Sequence, residues 1–423
     1  MANEYSKEER VAFEQMLEAF QDALVASRIV GIYRGQNAVD AERTSDQIWR
    51  PQPYIAQTFA GTDMTANFQN MTQLSVPATI GYARSAPWSM TATELRDALQ
   101  EGRFGAAARQ KLASDINVAV LNATALLGSL VVKRTAAASG FDDLAACEVI
   151  MDEQGVGIGD RKMALSGRDY NNMASNLAGR QTLAGKTLTA YEEAYIGRIA
   201  KFETFKMDYA YRLTAAAGVG VTVNGANQYY VPKATSTATT GEVSNVDNRF
   251  QVLTIAVTSG TVKAGDCFTI AGVNAVHHIT KATTGQAKTF RIVEILTGSG
   301  GSGTVKITPP IISGGGSSQS ELQYQNVDAT PANGAVITFL NTVSALVNPF
   351  WHKDAIELLP SGYAVPTDAG AAVMKAATDQ GIELVMQKQY DINTMLTKFR
   401  IDARYGVCYK QPEMGGIELF SQT

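Results

Sequence analysis

The sequence predicts an α+β fold with a long spine helix, an extended β-hairpin loop and a small β-barrel domain inserted into a helix-containing host. Three observations predict it. Leu112, Ile116, Val120, Ala123, Leu127 and Leu130 recur at the spacing of one helix face within residues 103–134. Residues 221–343 hold 14 of the chain's 37 glycines and 19 threonines, and there the apolar pattern changes from helical to alternating. Near the end, Phe399, Ile401, Ala403, Tyr405, Val407 and Tyr409 alternate with Lys398, Arg400, Asp402 and Arg404. That strand is roughly 35 Å long.

With 423 residues, 45% of them hydrophobic and 18% charged, the chain is an ordered globular protein of two or three domains. A net charge of -4 gives no electrostatic footprint for gripping nucleic acid. Cys147, Cys267 and Cys408 are far apart and odd in number, so they form neither a disulfide framework nor a metal pattern and suit a reducing compartment. No cleavable signal and no long apolar run is present, so synthesis in a cytoplasm without membrane insertion is expected.

Residues 3–29 read as an amphipathic helix. Phe13, Leu17, Phe20 and Leu24 form its apolar stripe, and Glu4, Glu8, Glu14, Glu18 and Asp22 lie opposite. The acidic side is either a solvated face or a receptor for a basic partner. Residues 51–79 contain no Lys or Arg and only Asp63 as an acid; weak alternations at 54–59 and 68–76, either side of Gly61, read as a long hairpin. Too little of it is apolar to stand alone, so it lies across its own domain or over a neighbouring subunit. Thr91 and Glu94 form a capping-box pattern that starts a short helix, with Gly102 and Gly105 interrupting it before the spine. The spine is about 45 Å long and needs an extended partner surface, unless it is an ordinary core helix.

Residues 141–154 read as a helix, 162–165 as a strand, and another helix starts at 166–169. Gly155, Gly157 and Gly159 lie between the first two, the wrong order for a dinucleotide fingerprint. Strand patterns follow at 251–257, 267–273, 290–295, 305–308 and 336–340, making a small barrel or sandwich whose tips are 298–303 and 314–318. Helical sequence on both sides marks it as an insertion. Residues 366–378 read as a helix.

No chemistry emerges. The adjacent His277 and His278 cannot share a strand face, and with His352 they read as surface loop residues. There is no G-x-S-x-G elbow and no P-loop, and the neighbouring pairs Asp142/Asp143 and Glu192/Glu193 suit exposed helix positions. No catalytic residue, cofactor or metal is therefore expected.

The order of elements resembles the coat (major capsid) proteins of short-tailed double-stranded-DNA bacteriophages, with the fold shared by tailed phages and the herpesvirus shell floor. The motifs that carry the resemblance are Val246-Asp247-Asn248-Arg249-Phe250, Gly265-Asp266 with 268–273, 290–293, 305–309, Phe350-Trp351 with Asp354-Ala355-Ile356, Ile48-Trp49 with Pro51, and Tyr405-Gly406-Val407. The resemblance implies an N-arm (1–35), a peripheral domain (36–50, 80–137 and 379–423), an extended loop (51–79), an axial domain (138–220 and 346–378) and an insertion domain (221–345). It implies a homo-oligomer of pentamers and hexamers, scaffolding and portal partners, and enclosed double-stranded DNA bound without sequence specificity. It places intersubunit contacts at Glu14, Glu18, Asp22, Phe59, Phe68, Lys233, Asp247 and Arg249. Some members of the wider fold cross-link through a lysine in the extended loop, and this loop has none. Competing readings are a tail or surface binding module with an immunoglobulin-like domain, a hydrolase, and a protein-only storage shell.

Overall fold

The computed structural model describes residues 7–33, 46–58, 60–65, 68, 71–94, 98–178, 196–365 and 372–423. The chain forms two compact units.

The first unit gathers Met1–Ile48, Pro77–Leu121 and Ile356–Cys408. Its sheet is built on the strand Leu396–Tyr409, which pairs antiparallel with both Tyr82–Thr91 and Glu383–Asp391. Phe399, Ile401, Ala403 and Tyr405 are buried as their alternation predicts, and Trp88 stacks on Phe399 at 5.4 Å and Tyr82 on Tyr405 at 5.2 Å. The alternation is not strict: Asp402 is buried between Ile401 and Ala403, and beyond Gly406 Cys408 and Tyr409 are both buried. At Gly406 a Cβ would reach the Thr79 carbonyl at 2.5 Å, so backbones pack there without side chains between them.

The spine is one helix, Ala98–Leu127, running through Gly105. Thr91 and Glu94 do form reciprocal bonds: Thr91 N donates to Glu94 Oε2 (2.9 Å) and Glu94 N to Thr91 Oγ1 (3.3 Å). Leu112, Ile116 and Val120 are buried. The predicted extension to residue 134 is wrong, because Leu130–Lys133 is a strand. The helix stops where a Cβ on Gly128 would meet the Thr124 carbonyl at 2.8 Å and Gly416 Cα at 2.9 Å.

The N-terminal helix is Lys7–Ala23, followed by a short turn of helix at Val25–Arg28. Phe13, Phe20 and Leu24 are buried. Asn117 of the spine donates to Ala23 O (2.9 Å) and accepts from Ala26 N (3.1 Å), tying down the break between the two. The helix predicted for 366–378 is also corrected: Ala372–Ala377 is a strand paired with Glu383–Lys388 register partners, while 366–371 lies outside the described residues. Alanine's helix propensity yields there to the sheet partner and to a tight turn with Gly381 at φ 82.

The second unit gathers Trp49–Val76, Asn122–Ala355 and Tyr409–Thr423. A mixed sheet orders its strands Leu130–Lys133, Gly415–Leu419, Asn348–His352, Arg161–Ser166, Phe202–Met207 and Arg198–Ile199. Helices Phe141–Glu153 and Gly167–Ala178 contribute Leu144, Cys147, Met151, Tyr170 and Met173 to its core. Gly416 lies so close to Leu130 that a Cβ would run into that residue's backbone carbonyl. Gly416→Ala is accordingly expected to destabilise the subunit by about 3 kcal/mol or more, read from urea unfolding midpoints. An unchanged midpoint would refute the close approach.

The insert is a closed barrel. Thr222–Val223, Gln251–Ala256, Gly303–Thr308, Thr283–Ile295, Cys267–Val276 and Ile337–Phe339 pair antiparallel in that order. Ile337 N donates to Val221 O and Val223 N to Ala335 O, both at 2.9 Å, which joins the last strand to the first. Leu253, Ile255, Phe268, Ile270, Phe290, Ile292, Val305 and Ile307 fill it. The turn at 298–303 is a hairpin tip as predicted, but the glycines at 314–316 lead into a helix, Gln319–Tyr324, with Ser318 and Glu321 as a capping box.

The two ends of 51–79 meet as the base of a hairpin, Gln47–Pro51 with Ser75–Thr79. Among the described residues between them there is no strand.

Candidate assembly surfaces

On the N-terminal helix Glu14 and Glu18 are exposed, opposite the buried Phe13 and Phe20. Asp22 is within that helix, but its side chain lies outside the described residues, as does the whole of Phe59.

Among the described residues, the root of the extended loop is held by hydrogen bonds to the insert. Thr72 N donates to Gln323 Oε1 (3.1 Å), Tyr324 Oη donates to Thr72 O (2.7 Å), and Gln319 Nε2 donates to Gln57 Oε1 (2.8 Å). Leu74 and Ile55 pack with Ile312, Tyr324 and Tyr230 of the insert. Phe68 is left 86% exposed, with Tyr54 and Met71 about half exposed.

A second projection is the hairpin Thr235–Thr237/Val243–Asn245, exposed along its whole length. Asn248 closes its base, accepting from Lys233 N (3.0 Å) and donating to Lys233 O (2.8 Å) and Val246 O (3.0 Å). Asp247 and Arg249 come together as a forked ion pair at 2.7 Å, and Arg249 Nη1 also donates to Tyr409 O (2.9 Å). Lys233 itself is exposed. The Val246–Phe250 motif therefore roots the hairpin, with Phe250 lying under the Lys306 ammonium at 4.6 Å.

Sequence reasoning missed the buried polar residues of the strand Thr283–Ile295. Lys288 is 1% exposed, pairs with Glu413 at 2.5 Å and donates to Gln154 Oε1 (2.6 Å). Thr289 Oγ1 donates to Ser129 O (2.7 Å). The Arg291 guanidinium donates to the carbonyls of Ala125, Gly128 and Gly265, placing a cation at the C-terminal end of the spine helix, where the helix dipole favours one. Burial pushes the Glu413 carboxyl up, but the adjacent Lys288 and His278 outweigh it and hold it below the ordinary carboxylate range.

The histidines are not surface residues, contrary to expectation. The His278 side chain is 14% exposed, 3.4 Å from Glu413, and the His352 side chain is 13% exposed, 3.7 Å from Asp354. The loop carrying His277 folds back on the glycine turn, so that a Cβ on Gly155 would lie 2.7 Å from the His277 ring. Among the described residues no group of His, Cys, Asp and Glu could hold a metal ion, and no helix is long and apolar enough to cross a membrane.

The family model described as "P22 coat protein - gene protein 5" matches residues 1–421. Among solved structures, a chain of Mycobacterium phage Che8 is 9% identical and aligns over 93% of this chain and 90% of its own, with a TM-score of 0.44. The capsid of cyanophage P-SCSP1u aligns at 11% identity over 89% of this chain and 84% of its own, with a TM-score of 0.43. The CUS-3 coat protein I-domain is 40% identical over 29% of this chain and 95% of its own, with a TM-score of 0.23. The family match is nearly end to end, so the chain belongs to the P22 coat protein family and is a structural phage capsid protein, not an enzyme.

Proposed function

We propose that this coat protein assembles, with a scaffolding protein, into an icosahedral shell of pentamers and hexamers around double-stranded DNA, with a portal protein as a further partner and no covalent cross-links. In this reading 1–35 is the N-arm, 51–79 the extended loop, 221–345 the insertion domain, 138–220 and 346–378 the axial domain, and the remaining segments the peripheral domain. The observation that carries it is the loop around Phe68: uncharged apart from Asp63, tied down at its root, and presenting a bare aromatic ring. A neighbouring copy supplies the apolar cover that its own chain does not. The loop has no lysine, so a covalent link through its amine has no nucleophile. The net charge of -4 leaves packed DNA mobile. Electron microscopy of the assembled protein, with a denaturing gel of the same sample, tests this. Closed shells that dissolve to single chains support it; dispersed monomers with scaffold present, or ladders of linked chains, refute it.

Glu14 and Glu18 are the arm residues for a basic scaffold helix. The double variant Glu14→Lys, Glu18→Lys is expected to fold normally while its co-assembly with scaffold falls by about tenfold, equivalent to about 1.4 kcal/mol. Scaffold content per particle checks it, and unchanged content removes the acidic face from the account.

A further inference from the structure

Two features singled out in the sequence, the glycine turn at 155–159 and the His277-His278 pair, meet at one place with the segment around Glu413. His278 N donates to Gln154 O (3.3 Å), and Gln154 Oε1 accepts from Lys288 (2.6 Å). Glu413 Oε1 accepts from both Lys288 Nζ and Asn326 Nδ2 (3.1 Å). Neither ring nitrogen of His278 has a hydrogen-bond partner, although Glu413 Oε2 is 3.4 Å from Nε2. The charged and titratable groups around the ring are Glu413 from the closing segment, Lys288 from the barrel strand, and His277 and Lys281 from its own loop. The Lys281 amine is held at Gln325 O (3.1 Å). One carboxylate thus already serves a buried lysine, with a second lysine nearby.

We propose that this seam is an acid-operated latch: protonation of His278 releases the insert barrel from the central sheet while the barrel itself stays folded. The added cation enters a desolvated site holding Lys288 and Lys281, and Glu413 is the single anion there to meet it. The barrel is closed on itself and has its own core, so it does not depend on the seam for its strand pairing. Burial lowers the His278 pKa from 6.5 to about 4 in the latched state, and an unlatched, solvated ring titrates near its ordinary value. The sign follows from proton counting: between these values the open state binds the extra proton, so the latch holds above pH 6.5 and loosens as pH falls toward 4. The closed-to-open ratio drops by up to about 300-fold across that window. Glu413, whose pKa is lowered, stays charged over most of it.

Hydrogen exchange of the full-length unassembled subunit, corrected for intrinsic rates, tests this between pH 7 and pH 4. The expected result is loss of protection at the seam, residues 277–282 and 409–415, while 251–256, 287–292 and 303–308 in the barrel stay protected. His278→Phe keeps a ring of similar shape without a titrating nitrogen, and its seam is expected to remain protected through the same window. Constant seam protection in the natural protein, loss at the same pH in the phenylalanine variant, or loss of the barrel strands together with the seam each overturns the latch. Where the variant does not fold, the histidine ring protons of the natural subunit decide. The chain has three histidines, and His278 is expected to titrate near pH 4, whereas a midpoint near 6.5 overturns the proposal.

Discussion

Replacing Lys288 with methionine is expected to destabilise the subunit by about 3–5 kcal/mol, which makes it one of the two largest single effects anticipated here. The reason is what the lysine leaves behind. Glu413 would stay buried as a carboxylate with Asn326 Nδ2 as its remaining side-chain donor, and Gln154 Oε1 would lose its 2.6 Å bond. Methionine fills the volume of the lysine stem, so cavity formation contributes little. Adding Glu413→Gln should recover much of the loss, because two neutral groups in a dry seam are far cheaper than one unpaired charge. The check is a double-mutant cycle on urea unfolding of the unassembled subunit. A coupling energy near zero would mean that Lys288 acts through packing alone and that the ion pair is incidental.

That seam also shows where sequence reading reached its limit. In the sequence, Arg291 alternates with Phe290 and Ile292, and alternation conventionally assigns one dry face and one wet face. Here the outer face of the barrel strand is covered too, so Thr289 and Arg291 are buried as well as Phe290 and Ile292, and Lys288 is buried at the seam. No local pattern announces a covered outer face, since the cover comes from residues 125–129, 154 and 413. The end of the spine helix failed for a similar reason. Leu130 continues the helical spacing, and what stops the helix is the approach of Gly128 to Gly416, nearly the whole second unit away in sequence. By contrast, the N-terminal helix, the first half of the closing strand and the barrel strand Gln251–Ala256 were legible because their burial follows period. The helix at Gln319–Tyr324 was legible in principle through its Ser318/Glu321 capping box, which the neighbouring glycines and serines disguised as a loop. Of the candidate contact residues, Glu14, Glu18 and Phe68 stand exposed as a docking role requires, whereas Asp247 and Arg249 satisfy each other.

Glu418→Gln is expected to stabilise the subunit, increasingly so as pH rises. Glu418 is fully buried on a strand paired on both sides, by Asn348 and by Val132. Neither of its carboxyl oxygens has a hydrogen-bond partner of acceptable geometry, and the nearby cation is already taken, because Arg134 pairs with Asp143 at 2.7 Å. Burial, reinforced by the Asp143 charge, pushes its pKa from 4.5 up to about 8, so at neutral pH it is a neutral acid. Between those two values the folded state holds a proton that the unfolded chain has released. The contribution of Glu418 to stability is therefore greatest below pH 4.5, falls by about 1.4 kcal/mol per unit as pH rises, and levels off above pH 8. Glutamine has the shape of the protonated acid and no proton to lose. The variant and the natural subunit should match near pH 4 and diverge by about 3 kcal/mol by pH 7, with the gap widening to pH 8. Urea unfolding at pH 5, 7 and 9 measures the difference directly, and other titrating groups cancel because both proteins carry them. A gap independent of pH would show that Glu418 is ionised in the fold, and the Arg134–Asp143 pair would then have to be shared with it.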